Sequence, residues 1–388
     1  MKEVSERERY LPPALIGKLL RIAAERPDII SLGVGEPDFT PPKVLVKEVK
    51  RVIAKYKKNR VTHYAASEGI PELREAIVEK LKRDNKIRMS PENVLVTTGS
   101  QEALFVGFLA TLDPTEEVIL QNPGYLGYVP AIELCSGVPR YVPAVEQENF
   151  EINPDRMNKL VNKKTRVIVL NTPSNPTGTV IRRSVLEEIA DIAVDKDLYI
   201  FSDEAYEKLI YDDAKHVSIG SFNGMHDYVV TFQTFSKSYA MCGFRLGYAA
   251  GPREVIQAMT KSVHYVTLSA PHLSQWVGVK ALSLGRQHID PMVREYDRRR
   301  KFIVRRLNEM GLTTPAPKGA FYAFSNIQQY GKNSVRFTEK LLKKSKVAVV
   351  PGTEFGVYGE GYVRFSYAAD YHLIETAMQR LERFLKKR

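Results

Sequence analysis

Cysteine is nearly absent: Cys135 and Cys242 are the only two in 388 residues. Two cysteines build no disulfide framework and no C-x-x-C pair, so a reducing cytoplasm is the expected compartment. Long apolar runs are missing as well. No stretch approaches the roughly 20 residues of a membrane span, and the opening MKEVSERERY is charged where a secretory signal is apolar. The seven histidines (63, 216, 226, 264, 272, 288, 372) show no metal-ligand spacing, so no metal is expected. GVG at 33–35 lacks the third glycine and the following helix of a dinucleotide fingerprint. We find no internal repeat and no low-complexity linker.

What is present reads as a folded chain. Hydrophobic residues make up 44% and charged residues 26%, which is ordinary globular usage and excludes disorder as the main state. The length predicts two or three domains. Lys and Arg exceed Asp and Glu by 57 to 45, a net charge of +12. Such a surplus suits nucleic acid, a membrane surface or small anions, or serves solubility alone. Its densest stretch, 286–306, mixes in Asp290, Glu295 and Asp297, and Phe302, Ile303 and Leu307 recur as a buried stripe. That pattern fits a solvated helix face better than a nucleic-acid arm.

Short apolar runs alternate with helical patterns through the middle of the chain. VLVT (94–97) precedes a helix over 101–112; EVILQ (117–121), RVIVLN (166–171), YIFSD (199–203), YVVTFQ (228–233) and LGYAA (246–250) continue the series. These intervals predict βαβ units: an α/β fold with a mostly parallel central sheet and helices on both faces. After about residue 286 the texture changes to a long charged helix, short strands near 320–324, 346–350 and 362–367, and a C-terminal helix. We expect a large domain over 46–285 and a smaller α+β domain assembled from 1–45 and 286–388.

In such sheets ligands collect outside the carboxyl ends of the strands. The polar residues there are Thr97, Gly99, Ser100 and Gln101; Asn122 and Tyr125; Asn171 and Asn175; Asp203, Glu204 and Tyr206; Thr234, Ser236 and Lys237. A Gly-Ser turn opening a helix suits a phosphate, although Ser100 would equally serve as a plain N-cap. Asp203, ending an apolar strand, is costly unless paired. It either caps the next turn or holds a cationic ring nitrogen. Lys237 follows another apolar strand, where a partly dry lysine can lose its proton and form a Schiff base. Arg245 could fork onto a phosphate or support the fold.

Six segments, in one colinear order from about residue 30 to the end, resemble the class I aminotransferases, the fold-type I enzymes of pyridoxal phosphate. They are GEPDFTPP, HYAASEGIPELREAI, SNPTG, SDEAYE, S-K-S-x-x-x-x-G-x-R and GYVRFSYA. The resemblance implies that Lys237 is the Schiff-base lysine and that Asp203 pairs with the pyridine nitrogen. It implies that Asn175 and Tyr206 serve the ring's phenolic oxygen and that Tyr125 stacks on the ring. Gly99, Ser100, Gln101, Thr234, Ser236 and Arg245 would surround the cofactor phosphate, with Tyr64 reaching it from the other subunit of a homodimer. Arg364, with Gly35 and Asn175 nearby, would bind the substrate α-carboxylate. The implied activity moves an amino group from an L-amino acid to a 2-oxo acid such as 2-oxoglutarate.

Two positions depart from the family's habit. Cys242-Gly243-Phe244-Arg245 stands where Thr-Gly-Trp-Arg is frequent, and we read Cys242 as a buried inert thiol. Gln101 stands where some relatives favouring acidic substrates carry Lys, which shifts the expected substrate from aspartate toward aromatic or other neutral side chains. A β-lyase acting on cysteine conjugates, or a cyclopropane-forming synthase, would use the same lysine.

Overall fold

The computed structural model describes residues 3–12, 21 and 25–386. Residues 13–20 and 22–24 of the expected N-terminal arm, and 387–388 at the other end, lie outside them. Twelve strands are present among the described residues: β1 (Ile30–Ser31), β2 (Val94–Thr97), β3 (Glu117–Asn122), β4 (Val138–Pro143), β5 (Thr165–Asn171), β6 (Tyr199–Asp203), β7 (Val229–Thr234), β8 (Gly247–Ala250), β9 (Tyr322–Asn326), β10 (Val347–Ala348), β11 (Val350–Pro351) and β12 (Tyr362–Ser366).

Seven of them form the central sheet in the order β2-β8-β7-β6-β5-β3-β4. Neighbours from β7 through β4 pair parallel, whereas β8 runs antiparallel to both β2 and β7. The sequence reading missed β4. VPRYVP carries two prolines and runs from exposed and half-buried positions to the buried Val142, and as an edge strand it needs hydrogen bonds on one side only.

The inner strands are β-branched runs because both faces are covered. Alternate residues serve opposite cores: Val118, Leu120, Val167 and Val169 face one, Ile119, Ile168 and Leu170 the other. Each fully buried side chain of this kind stabilises by about 1.5–3 kcal/mol. Helix Ser100–Thr111 packs on the first face at close range. A Cβ added at Gly107 would lie 3.0 Å from the Phe201 ring and 3.2 Å from Phe232, so glycine is what lets the helix approach.

Beyond the main sheet, β1 pairs in parallel with β10, and β11, β12 and β9 form an antiparallel sheet. The basic stretch lies on helix Asp290–Glu309. The reading of it as a solvated face holds for Arg294, Arg298, Lys301 and Arg305, which are exposed, and needs correction at two positions. Arg299 and Arg300 are buried, Arg299 bonding Asp38 and Glu295 and Arg300 bonding Asp212 and Asp297. The burial of two adjacent arginines is possible because carboxylates from other segments meet them. No helix among the described residues is long and apolar enough to cross a membrane.

Candidate active site

The carboxyl ends of β2, β3, β5, β6 and β7 all lie on one edge of the central sheet. The reversed β8 starts there too: Gly247 is in register with Thr97 on one side and Thr234 on the other. That reversal delivers Arg245, two residues earlier, to the same edge. A cavity of about 450 Å³ opens there, lined by Gly35, Gly99, Ser100, Gln101, Tyr125, Asn175, Asp203, Tyr206, Thr234, Ser236, Lys237, Arg245 and Arg364. Of the site residues read from sequence, Tyr64 alone is elsewhere; it is 81% exposed and outside the cavity.

One end of the cavity is built for an anion. Helix Ser100–Thr111 begins there, capped by Gly99 at φ 134°, a backbone conformation that L side chains rarely adopt. Ser100 is thus the first helical residue and not the cap. The first-turn N–H groups of a helix have no partner within it and carry the positive end of its dipole. A Cβ on Gly99 would come within 3.3 Å of Nη2 of Arg245, which brings the guanidinium to the same spot. Arg245 is itself held in a left-handed conformation, with Nη1 donating to the Cys242 carbonyl at 3.0 Å. Thr234 Oγ1 accepts from the Ser236 N–H and caps the short turn that carries Lys237.

The middle of the cavity holds the titratable groups. Lys237 Nζ donates to the Gly35 carbonyl at 2.6 Å and lies 6.0 Å from the centre of the Tyr206 ring. Burial pushes the Asp203 carboxyl up to about 6, against the opposing pull of the Tyr128 hydroxyl, which donates to Oδ2 at 2.6 Å. The Ala205 N–H donates to Oδ1 at 3.2 Å, so Asp203 also caps its own turn, as one of the two readings expected. Burial likewise raises the Tyr206 phenol well above its ordinary value, and its hydroxyl lies 2.9 Å from that of Tyr322.

Arg364 closes the other end. It is fully buried, and burial lowers its pKa from the ordinary guanidinium value. Nη1 donates to Asn175 Oδ1 at 2.9 Å and Nη2 to the Gly33 carbonyl at 2.5 Å. Its Nε has no hydrogen-bond partner. A buried charged donor left open is costly unless a ligand completes it, and a carboxylate is the group whose geometry matches. Cys242 is only partly buried and lines the cavity, with Sγ 3.3 Å from the Ser236 carbonyl. Burial raises its thiol pKa, which disfavours a reactive thiolate.

Two residues escaped the sequence reading. Tyr128 lies in the helix Tyr128–Leu134, beyond the strand-end loop, and is the side-chain donor to Asp203. Tyr322 comes from β9, outside the central sheet, and reaches Tyr206 across 116 residues. No spacing rule in the sequence points to either.

A buried carboxylate, an amine, an anion cradle and a buried guanidinium, all at one edge of an α/β sheet, suit a small anionic cofactor and a carboxylate-bearing substrate. A model of the family "Aminotransferase class I and II" matches residues 27–381. An aspartate aminotransferase of Pyrococcus abyssi is 45% identical over 388 residues, covering 99% of each chain. Aromatic-amino-acid aminotransferase 2 of Thermococcus litoralis is 43% identical over 388 residues, again 99% of each. The crystal structure of an aromatic aminotransferase from Pyrococcus horikoshii superposes with a TM-score of 0.90 at 44% identity, covering 96% of this chain and 99% of that one. The chain belongs to the class I and II aminotransferases. It is a pyridoxal-phosphate-dependent transaminase of amino acids and 2-oxo acids, and the β-lyase alternative is not favoured.

The cavity fits pyridoxal phosphate on its own terms. The anion cradle matches a phosphate, the buried Asp203 a protonated ring nitrogen, and the Lys237 amine an aldehyde.

Proposed function

We propose that this transaminase acts on L-amino acids with aromatic or other neutral side chains, passing the amino group to a 2-oxo acid, 2-oxoglutarate foremost. The observation that carries the reading is the neutral Gln101, bonded to Tyr125, in a cavity where Arg364 and Lys237 are matched to the α-carboxylate and the aldehyde. Bound pyridoxal phosphate supplies an aldehyde that condenses with amines and a cationic ring that accepts electrons. Gly99, the N–H groups of Ser100 and Gln101, the hydroxyls of Thr234 and Ser236, and Arg245 hold its phosphate. Asp203 holds the proton of the ring nitrogen, and the Tyr128 hydroxyl keeps that carboxylate oriented. Asn175 and Tyr206 serve the phenolic oxygen, and Tyr125 covers the ring face.

Arg364 forks onto the substrate α-carboxylate with Gly35 and Asn175 beside it, fixing which face of the Cα meets Lys237. Lys237 Nζ then takes the Cα proton as general base and delivers it again as general acid. The buried hydroxyl pair Tyr206–Tyr322 and the aromatic wall of Tyr125 limit water around that exchange.

Substrate choice follows from the charges at hand. The cations that line the cavity are Lys237, Arg245 and Arg364, each already matched to an aldehyde, a phosphate or an α-carboxylate. Gln101 is neutral and accepts the Tyr125 hydroxyl at 2.6 Å, so among the described residues no further cation lines the cavity for a side-chain carboxylate. Aspartate is the second reading, favoured by the Pyrococcus abyssi relative's name and satisfied if a partner subunit supplies the charge.

We further infer a cytoplasmic homodimer in which Tyr64 reaches the phosphate of the neighbouring site; its exposure outside its own cavity supports this. The division into 46–285 and a small domain from 1–45 plus 286–388 is supported by the pairing of Ile30 with Val347.

The test uses purified protein loaded with pyridoxal phosphate. Borohydride should bleach the visible band and leave a cofactor-mass adduct on the Lys237 peptide; an adduct on any other lysine would sink the assignment. A 2-oxoglutarate-coupled panel of phenylalanine, tyrosine, kynurenine, alanine and aspartate should show the highest kcat/KM for an aromatic substrate. A preference for aspartate by more than about tenfold selects the second reading.

A further inference from the structure

The turn that carries Asp203 and Tyr206 toward the cavity carries Glu204 and Glu207 the other way, into a buried polar cluster. Glu204 is fully buried. Its Oε1 accepts from the Ser202 hydroxyl at 3.0 Å; its Oε2 lies 2.6 Å from the Ser218 hydroxyl, 2.9 Å from His216 Nε2 and 3.1 Å from Asn85 Nδ2. Glu207 meets Lys80 Nζ at 2.5 Å and Lys208 Nζ at 3.7 Å, and takes Asn85 and Gln233 amides at 2.7 and 2.9 Å. Lys208 is shared with Asp84 at 2.5 Å. Arg83, paired with Asp84 at 2.8 Å, and Asp203, Tyr239 and Tyr248 also feel these charges.

Ligand atoms of Glu204, Glu207 and His216 lie within 4.8 Å of one another, a spacing that a metal ion could use. The lone pairs that a metal would need are taken by the Lys80 ammonium and by the Asn85 and Gln233 amides. The cluster is therefore an ion network, drawn from the helix Pro71–Lys80, the turn after it, the 216–218 loop and β7. Burial alone would raise the Glu207 carboxyl, yet the charges of Lys80, Lys208 and His216 bring it down to about 2. None of these groups touches the substrate cavity. Their placement directly behind Asp203 calls for a purpose.

We propose that Glu204, held by Ser202, Ser218, His216 and Asn85, is a positioning residue for Asp203: it fixes the 203–206 turn and sets the electrostatic field in which the ring-nitrogen carboxylate and the Lys237 amine work. The inference rests on the assignment of Asp203 as the ring-nitrogen partner. Its sign follows from charge. The negative charge of Glu204 opposes ionisation of Asp203 and stabilises nearby positive charge, and a positive charge at Lys208 acts in the opposite sense.

The test reads the pH midpoint of the visible absorbance of cofactor-loaded protein, which reports the proton held at Nζ of Lys237. Glu204→Gln keeps the side-chain shape and one acceptor oxygen but removes the charge, and should move the midpoint down by roughly half a unit or more. Lys208→Gln, which removes the buried ammonium shared by Asp84 and Glu207, should move it up. Glu204→Asp should restore a near-wild-type midpoint. A role in packing alone predicts one midpoint for all variants, and that result, or shifts of the same sign in the two charge variants, overturns the proposal. Asp203→Asn is measured alongside: if it leaves the wild-type midpoint, the assignment of Asp203 fails, whereas a shifted Asp203→Asn beside an unmoved Glu204→Gln rejects the positioning role alone.

Discussion

Asp203 carries the sharpest consequence for a single side chain. Its folded carboxyl titrates near 6 against an ordinary 3.8, with burial as the main cause. Between those values the cofactor-free folded chain holds a proton that the unfolded chain has lost. Asp203 therefore favours folding less as pH rises through that window, by up to about 3 kcal/mol above it. Asp203→Asn removes the titration. In cofactor-free protein its Tm relative to wild type should climb from about pH 4 to about pH 6 and then level off; a pH-independent difference would contradict the burial. Tyr128→Phe tests the same carboxylate from outside. Losing the 2.6 Å donor should raise the Asp203 carboxyl further and lower kcat/KM by about tenfold, most strongly on the acidic side of the pH profile. Tyr128 was invisible in the sequence for a physical reason. Strand-end logic selects residues in the loop, and Tyr125 was within its reach, but the hydroxyl that matters is one helical turn further on. Lys237 and Arg245 were legible because a charged residue beside an apolar strand demands a partner, whereas Arg364 was legible only through the resemblance of GYVRFSYA to the family.

At the scale of elements, the register of one reversed strand sets the anion end of the site. LGYAA reads as one more strand of a parallel series, and nothing in its five residues distinguishes direction. Direction emerges only from pairing, with Gly247 wedged between Thr97 and Thr234. A Cβ at Gly247 would sit 2.7 Å from the Gly99 carbonyl carbon and 2.7 Å from the Ser100 nitrogen. Both are backbone atoms at the start of helix Ser100–Thr111, so neither can swing aside. Gly247→Ala should therefore displace the helix N-terminus and weaken pyridoxal phosphate binding by tenfold or more, on the order of 1.4 kcal/mol. Equilibrium dialysis with the cofactor measures it, and an unchanged Kd would show that the helix start does not contact the phosphate. β4 failed to register for a different cause: an edge position tolerates the proline and alternation that sequence rules assign to loops.

At the scale of the whole molecule, many of the positive charges behind the net +12 are locally paired. Arg299 and Arg300, the most conspicuous basic pair, are buried against Asp38, Glu295, Asp212 and Asp297, so this part of the surplus presents no free face to a polyanion. The remaining question at this scale is whether one chain makes a complete site. Tyr64 stands 81% exposed and away from its own cavity, with Tyr265 at 82% exposure also on the surface. Large aromatic rings left in water are what a subunit interface covers. If Tyr64 serves the neighbouring site, its loss should be felt in trans. Tyr64→Phe homodimers should bind pyridoxal phosphate about tenfold more weakly or worse, by the worth of one hydrogen bond to a charged group. A hybrid of one Tyr64→Phe chain with one Lys237→Ala chain contains a single competent lysine, in the Tyr64→Phe chain, and that site receives its tyrosine from the partner subunit. Its cofactor affinity should return to the wild-type value. If it stays as weak as in the Tyr64→Phe homodimer, Tyr64 acts within its own chain and the shared-site dimer is wrong.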